Sequence, residues 1–496
     1  MTTTTPASTR PRGRRHRRRL VTTLVTLVLT LSALAACEPD VAPPYWTLGP
    51  KFADVRPTGA HVVLDWRDAV GSTRYRVQAA LVTSGSPGPW LDVPMDVPAV
   101  SACLVVGLDA PREYRFRITA YDAAGNWSGD LSGAQDIGSL GASYDTPPIG
   151  GGAVRKCLPA TDGDGDRVPN ALESGTGTPT SATALGTYPN DPDSDDDGID
   201  DGDELYGSVA GLDLPAMGTT PLRKDVLLEL DWASQITGCA ANLQPTASWI
   251  TPIRQAFAAM PYQAPGPDGV NLIVDYGQGG LFTGGNAIPD ANGRLANDPL
   301  GSDPRGQHFA PGRVGYFHYG TVGTEVFAVD NWAQRGLAGL DGDWLRIGVG
   351  CNAMPEFVRS NLTMHELGHN LHLRHGGHED VNKKPNYGSI MNYRYLSVGA
   401  DGNCDGRPDS GLLAYSDEVR GPIDENHIDE VAGFCPGVPA DIDLDGSIDP
   451  APYVFDVNGG GRSVLIGSDD FAHIEFDAFN DPNRVRGQVE VCDPFV

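Results

Sequence analysis

Four of the chain's eleven histidines lie in one short stretch, Met364-His365-Glu366-Leu367-Gly368-His369-Asn370-Leu371-His372-Leu373-Arg374-His375. Residues four apart share one face of an α-helix, so His365 and His369 can bind the same metal ion. Glu366 approaches that ion from another direction, from which its carboxylate can take a proton from a bound water. His375 comes six residues after His369, so the chain must turn sharply after about Leu371 to bring its imidazole back. The stretch predicts a helix that ends in a tight turn beside a metal site.

This spacing resembles that of the metzincin zinc metalloproteases, whose pattern is HExxHxxGxxH. The resemblance implies that His365, His369 and His375 bind Zn²⁺. It also implies a zinc-dependent endopeptidase that hydrolyses peptide bonds of extracellular proteins. In that reaction a zinc-bound water attacks the peptide bond, and Glu366 is the general base. Protein or peptide substrates are therefore the expected partners.

Two further segments carry the same resemblance. Ser389-Ile390-Met391-Asn392-Tyr393 resembles the metzincin Met-turn, and Asp424-Glu425-Asn426-His427-Ile428-Asp429-Glu430 resembles a segment of pappalysin-like bacterial metalloproteases. The first likeness implies that Met391 forms an apolar floor under the three imidazoles. It also implies that Tyr393 reaches the zinc or the oxyanion of the reaction.

One position departs from the family pattern. The glycine that permits the turn is His372 in this chain, and the turn can require a positive φ, which glycine adopts most easily. Histidine is among the other residues that tolerate this region. His372 and His378 also add competing imidazoles, but the spacing favours His375 as the third ligand. The gluzincin alternative needs a more distant downstream glutamate, because Glu379 lies too close to His375.

Acidic residues predict a second kind of metal site. Two twelve-residue windows have carboxylates at positions 1, 3, 5 and 12, a spacing at which a tight loop converges on Ca²⁺. These residues are Asp162, Asp164, Asp166 and Glu173 in the first window, and Asp193, Asp195, Asp197 and Glu204 in the second. The stretch 193–202 resembles a thrombospondin type 3 repeat, which implies calcium binding. Partial sets occur at 401–409 and 441–449, where calcium and an ordinary turn are alternatives.

Alternating apolar and polar residues predict short strands at 61–66, 75–79 and 114–121, separated by Gly, Pro, Asp and Ser. This pattern is typical of a β-sandwich. Leu64-Asp65-Trp66 and Tyr114-Arg115-Phe116-Arg117-Ile118 resemble strands of a fibronectin type III domain. The resemblance implies a spacer or binding module without chemistry of its own.

The N-terminus predicts export. Arginines at 12–19 precede an apolar run at 20–36, as in a signal peptide. Leu34-Ala35-Ala36-Cys37 resembles a bacterial lipobox, which implies that Cys37 is acylated and anchors a cell-surface lipoprotein to the membrane. The alternative is ordinary cleavage and secretion. Export permits disulfides, and Cys157 is a disulfide cysteine, a linker cysteine or a thiol that caps zinc as in some metzincin zymogens.

The net charge excludes one class of partner. The chain carries 64 acidic and 36 basic side chains, a formal charge of −28. Residues 1–36 hold seven arginines and no acid, so the remainder has 36 − 7 = 29 basic against 64 acidic groups, or −35. Such a surface repels nucleic acid phosphates, and no nucleic acid partner is expected.

These features predict a multidomain chain: a fibronectin type III-like β-sandwich, acidic calcium-binding loops, and an α/β or α+β metzincin-like catalytic domain. A buried strand at 223–232 and a helix at 248–260 open the catalytic domain. The predicted boundaries are 1–36 signal peptide, 37–47 tether, 48–138 sandwich, 139–160 linker, 161–207 calcium repeats, 219–435 protease, and 436–496 C-terminal acidic segment with a partial calcium loop. The alternative function is a calcium-dependent cell-surface adhesion protein with an inactive metzincin domain.

Overall fold

The computed structural model describes residues between Phe52 and Cys492. The described ranges are 52–58, 61–66, 69–84, 86–95, 102–108, 114–125, 156–181, 183–239, 242–262, 265–290, 293–296, 305–327, 333–351, 354–477 and 489–492. The predicted signal peptide, the tether and Cys37 lie outside these ranges. Across the described ranges, no helix has the length and apolar character needed to cross a membrane.

The N-terminal region is a β-sandwich of two antiparallel sheets. The first contains, in spatial order, β1 (Phe52–Thr58), β2 (His61–Trp66), β6 (Ala102–Val106) and β8 (Lys156–Leu158). The second contains β3 (Arg74–Thr83), which pairs with β4 (Ser86–Pro87), β5 (Leu91–Val93) and β7 (Tyr114–Tyr121). Leu64 and Trp66 of the first sheet share one buried core with Val77 and Phe116 of the second. In β7 of the second sheet the predicted alternation follows from one buried face, whereas β2 of the first sheet is buried on both faces.

Strand β8 corrects the predicted linker. Residues 156–158 were expected to lie in a linker at 139–160, but they pair with β6 and complete the first sheet. A disulfide between Cys103 and Cys157 joins the two strands. Cys157 is therefore not a zinc-capping thiol. A three-residue strand is too short to show alternation, and its partner lies 54 residues away in sequence.

The acidic region that follows consists mostly of loops. Its regular elements are two short helices, α1 (Asp201–Tyr206) and α2 (Leu214–Met217). Val168 and Leu172 of this region pack against Val63 and Leu104 of the sandwich. The loops are thus held to the sandwich by an apolar contact as well as by their place in the chain.

A mixed sheet forms the centre of the remaining chain. Its spatial order is β10 (Asn271–Asp275), β9 (Asp225–Ser234), β13 (Phe317–Gly323), β17 (Trp344–Gly348), β16 (Gly336–Gly339) and β20 (Val489–Cys492), with β11 (Ala287–Pro289) also paired to β9. The first four strands are parallel, and β16 is antiparallel to both of its neighbours. Smaller sheets are β12 (Arg294–Ala296) with β14 (Glu325–Phe327) and β15 (Ala333–Gln334), and β18 (Ile423–Asp424) with β19 (Val464–Leu465).

Helices cover one face of this sheet. The two that pack on it are α3 (Ala247–Ala258) and α5 (Glu356–Asn370), while α4 (Arg305–His308) and α6 (Tyr393–Leu396) are single-turn helices elsewhere in this region. Val226 and Leu228 of β9 share a buried core with Trp249 of α3 and Leu367 of α5. Leu227 faces the opposite way and packs with Ile199 of the acidic loops. Strand β9 is therefore buried on both sides, as its continuous apolar run predicts.

The C-terminal boundary differs from the prediction. Residues 436–496 were expected to form a separate acidic segment after a protease domain at 219–435. Strand β19 instead pairs with β18, and β20 pairs with β16 of the central sheet. These pairings join residues far apart in sequence, and local composition carries no sign of them.

Candidate metal centres

Helix α5 is fixed in place by buried contacts along its length. The indole Nε1 of Trp249 donates a hydrogen bond to Thr363 Oγ1 at 3.0 Å. The hydroxyl of Tyr415 donates to the carbonyl oxygen of Met364 at 2.6 Å. These contacts set both the position and the rotation of the helix, and therefore the direction of the side chains on its last two turns.

The last two turns of α5 and the loop after them bring three imidazoles together, those of His365, His369 and His375, which form the histidine trio. His365 and His369 are fully buried, and their Nε2 atoms lie 3.2 Å apart. The ring centroid of His375 lies 5.4 Å from that of His365 and 4.9 Å from that of His369. One nitrogen of each ring lies within 4.8 Å of the others, a separation that allows them to hold one metal ion.

Backbone carbonyls orient two of the rings. His365 Nδ1 lies 2.9 Å from the carbonyl oxygen of Ile390, and His369 Nδ1 lies 2.7 Å from that of Leu373. A carbonyl only accepts, so each Nδ1 carries the proton and each Nε2 presents its lone pair. This is the arrangement in which a second partner fixes the tautomer of a metal-ligating histidine.

The three rings are electrically neutral. Burial, and after it the neighbouring His375, lowers the pKa of His365 to about 3. Burial and the other two imidazoles hold the pKa of His369 well below its ordinary value. Burial, and then Arg374, lowers the pKa of His375 to about 4. At neutral pH all three side chains are therefore free of the second proton that would block metal binding.

The turn between His369 and His375 is made by the residue that departs from the family pattern. His372 has a φ of 78°, in the left-handed region, and the amide of Leu373 donates to the carbonyl of Gly368 at 2.9 Å. The His372 ring points away from the trio, because its Nδ1 lies 2.6 Å from Asp341 Oδ1. His378 is also outside the trio, with its Nδ1 3.1 Å from Ser468 Oγ.

Met391 and Tyr393 lie beside the trio. Met391 is fully buried against Gly368, where a methyl group would overlap its sulfur. Glycine at position 368 therefore allows Met391 to pack directly against the helix. The ring centroid of Tyr393 lies 4.5 Å from that of His375 and 5.7 Å from that of His365.

Glu366 lies next to the strand that borders this centre. Its side chain is fully buried, and a methyl group added to Gly336 of β16 would overlap Glu366 Oε1. Gly336 was not singled out in the sequence, because nothing local distinguishes it from the many other glycines. Its absent side chain leaves the space that the carboxylate occupies.

The first predicted calcium loop brings its carboxylates together. Asp162 accepts hydrogen bonds from the amides of Gly165 at 2.7 Å and Arg167 at 3.1 Å, which close the loop. Both carboxylate oxygens of Asp164 and of Glu173 are buried and have no hydrogen-bond partner among the residues that the structure describes. Such groups are rare in folded proteins, and a cation or a hydrogen-bond donor would satisfy them.

The second loop has the same turn. Asp193 accepts from the amide of Gly198 at 2.7 Å, and Asp197 accepts from that of Ile199 at 2.9 Å. Both carboxylate oxygens of Asp195 and of Glu204 are buried and accept no hydrogen bond from the described part of the chain.

Two acidic residues complete these clusters in ways that the spacing did not predict. Asp201 occupies the ninth position of the second window, but its carboxylate lies with those of Asp166 and Glu173 of the first. Asp225, at the start of β9, donates its amide to Asp197 Oδ2 at 2.5 Å. This contribution comes from the backbone amide, which every residue except proline offers, so the sequence carried no signal for Asp225.

The crowded carboxylates have raised pKa values. Burial, and then neighbouring acids, raises the pKa of Asp166 to about 8 and that of Glu173 to about 7. Burial, and then Asp193, raises the pKa of Asp195 to about 8. Burial holds the pKa of Glu204 well above its ordinary value. The ionised forms are unfavourable without a nearby positive charge, which a divalent cation would supply.

The two partial sets differ from the full loops. The guanidinium of Arg420 lies 2.9 Å from Asp401 Oδ2, and Arg407 Nε lies 2.8 Å from Asp441 Oδ2. An arginine side chain thus pairs with the first carboxylate of each set. At Asp401 this pairing favours the ordinary turn over a calcium site, whereas Asp441 keeps a second buried oxygen, Oδ1, without a hydrogen-bond partner among the described residues.

Comparison with known proteins gives limited similarity. No family model matches the chain, and no curated protein matches it. One similar solved structure is the fn3 domain of human collagen alpha-1(XX) chain, with 20% identity and a TM-score of 0.16, covering 22% of this chain and 91% of that chain. Another is the twitchin kinase region from C. elegans (Fn31-NL-kin-CRD-Ig26), with 20% identity and a TM-score of 0.17. The match covers 23% of this chain and 20% of that chain.

Proposed function

We propose that this chain is a zinc-dependent endopeptidase of the metzincin type, similar to the pappalysin-like bacterial branch. The observation that carries the proposal is the convergence of His365, His369 and His375 beside the buried carboxylate of Glu366. The family pattern combines three histidines, a glutamate and a methionine. All five side chains lie together here, although Met391 comes 16 residues after His375.

The donor set fits zinc. Neutral imidazole nitrogens are preferred Zn²⁺ ligands, and three protein ligands leave one position open in a catalytic site. Two nitrogens at about 2.0–2.1 Å from a tetrahedral ion are about 3.4 Å apart, close to the 3.2 Å between the Nε2 atoms of His365 and His369. Hard cations such as Ca²⁺ prefer oxygen ligands, which the trio does not offer.

The side chains around the three histidines have separate roles in hydrolysis. Zinc, when bound, supplies a Lewis acid that polarises the scissile carbonyl and lowers the pKa of water. Glu366 takes the proton from the attacking water and passes it to the leaving amine. The hydroxyl of Tyr393 donates a hydrogen bond to the oxyanion that forms on the carbonyl oxygen. The carbonyls of Ile390 and Leu373 keep two imidazoles in the ligating tautomer.

The acidic loops fit calcium in a structural role. Their ligands are oxygens alone, in tight loops with the 1, 3, 5 and 12 spacing. Ile199 and Val168 of the loops contribute to two apolar cores, one against the central sheet and one against the sandwich. Calcium bound there would therefore stiffen the junction between the fibronectin type III-like sandwich and the protease region.

Export and anchoring complete the proposal. The sequence at 1–37 favours a cell-surface lipoprotein acylated at Cys37, with secretion as the alternative. Three disulfides among the described residues suit an oxidising compartment: Cys103–Cys157, Cys239–Cys351 and Cys404–Cys435. The substrates are then proteins or peptides outside the cell.

The test is cleavage of a quenched protein substrate by Glu366→Gln, beside a matched change on the same helix. Glu356→Gln alters an exposed glutamate in the first turn of α5. Loss of a general base costs about 10²–10⁴-fold in rate, so we expect kcat to fall by that factor in Glu366→Gln and to be kept in Glu356→Gln. Zinc content stays equal in both.

Two outcomes contradict the proposal. Cleavage that survives in Glu366→Gln removes the assigned base. Absence of cleavage by the zinc-loaded wild type, on several substrates and with calcium present, favours the calcium-dependent adhesion protein instead.

A further inference from the structure

The C-terminal strand lies at the edge of the central sheet. Residues Val489–Cys492 of β20 pair in antiparallel register with β16, from Gly336 opposite Cys492 to Gly339 opposite Val489. On its other side β16 pairs with β17. The edge of β16 that would otherwise be open is therefore filled by the chain's own last strand.

Strand β16 borders the metal centre. Gly336 lies directly against Glu366, since a methyl group at this glycine would overlap Oε1 of the proposed base. The far end of β16 is fastened to helix α5, because Asn370 Nδ2 donates to the carbonyl oxygen of Gly339 at 2.8 Å. The amide of Asp341 donates to the carbonyl of His369 at 3.2 Å. An extended segment on the outer edge of β16 therefore runs past the proposed catalytic groups.

An open strand edge beside Glu366 is suited to bind an extended peptide. Its unpaired N–H and C=O groups bind an extended chain by β-augmentation, with affinity from main-chain bonds. Each backbone group has one main partner in the ladder, so two segments cannot pair with the same edge at once. The edge that would align a peptide beside Glu366 is the edge that β20 covers.

We propose that β20 is an autoinhibitory strand that competes with peptide substrates for the outer edge of β16. This proposal rests on the proposed function, because it assigns the substrate-binding edge of that site. A tethered segment acts at a high effective concentration, so a short strand of four residues suffices to compete. Substrate is bound only when β20 leaves the edge or is removed by proteolysis.

The competition predicts a specific kinetic effect. Release of β20 lowers KM for a peptide substrate and leaves kcat unchanged, because the strand blocks binding and takes no part in the reaction. A free peptide with the sequence of residues 487–496 should inhibit competitively once the tethered strand has been released.

The test uses the full chain with Glu490→Pro and Val491→Pro together. Proline has no amide hydrogen, and replacing two adjacent residues removes a ladder bond whichever of them faces β16. The matched control replaces the same two residues with threonine, which favours strands. We expect KM to fall at least about tenfold in the proline variant and to stay unchanged in the threonine variant.

A second measurement does not depend on catalysis. In a Glu366→Gln background, the labelled 487–496 peptide is titrated into the proline and threonine variants, with fluorescence anisotropy as the readout. Amide hydrogen exchange of residues 336–339 is followed in the same samples. We expect peptide binding and faster exchange in the proline variant alone, with exchange slowed again by the peptide.

Each outcome decides the matter. An unchanged KM, or a proline variant that loses its cooperative thermal unfolding, makes β20 a permanent part of the sheet and overturns the proposal. Absence of cleavage in every variant overturns the proposed function, while peptide binding to the proline variant still establishes that β20 and the peptide share one edge. Equal peptide binding to both variants overturns the competition.

Discussion

At the scale of single residues, the metal trio depends on one unusual backbone conformation. His372 has a φ of 78°, and this left-handed residue ends the helix so that the chain brings His375 back beside His365 and His369. The sequence predicts the strain, since the metzincin pattern has glycine here. It does not predict the hydrogen bond to Asp341, because that residue lies 31 positions earlier in the chain. This contact turns the imidazole away from the trio.

Substitution of His372 separates the backbone effect from the side-chain effect. His372→Gly and His372→Ala both lose the bond to Asp341, but only glycine adopts the left-handed region without cost. We expect the glycine variant to be more stable than the alanine variant by about 1 kcal/mol, measured by denaturant unfolding. Both variants should keep their zinc. Equal stability, or loss of zinc in both, would show that His372 acts through its ring.

At the scale of elements, the acidic loops bury carboxylates whose negative charge the loops themselves do not neutralise. Asp195 and Glu204 are buried, and within the described ranges their carboxylate oxygens accept no hydrogen bond. The spacing predicts the loop ligands, because positions 1, 3 and 5 converge locally. The contributions of Asp201 to the first cluster and of Asp225 to the second could not be predicted, since they depend on how the loops pack against each other and against β9.

This view predicts that one carboxylate change has opposite effects with and without calcium. Asp195→Asn removes a buried charge whose pKa is raised to about 8. We expect the calcium-free protein to be as stable as the wild type or more stable, and the stabilisation by added calcium to shrink. A 100-fold loss of affinity corresponds to about 2.7 kcal/mol. The measurement is thermal unfolding in chelator and in calcium.

The matched control for this change is Asp196→Asn. Asp196 is exposed in the same loop, and its φ of 57° suits asparagine. The control should respond to calcium as the wild type does. If Asp196→Asn weakens the calcium effect as much as Asp195→Asn, the loop binds cations only through its overall charge.

At the scale of the whole molecule, local patterns predict the parts better than their connections. The β-sandwich follows from alternation in β2, β3 and β7, and strand β9 lies within two residues of its predicted bounds. The strands that cross predicted boundaries were missed. Strands β8 and β20 are three and four residues long, and each is held by a partner far away in sequence. Segments this short have no strand-forming pattern of their own. They form strands only because they pair with a distant part of the chain.

The most direct test of the account is the metal content of three purified chains, measured by elemental analysis after dialysis against trace zinc. The chains are the wild type, His375→Ala and His378→Ala, since His378 is a nearby histidine that lies outside the trio. We predict about one zinc in the wild type and in His378→Ala, and a large loss in His375→Ala, since three ligands define the site. Wild-type chains without zinc, or zinc lost with His378 and kept without His375, would contradict the proposed metal centre.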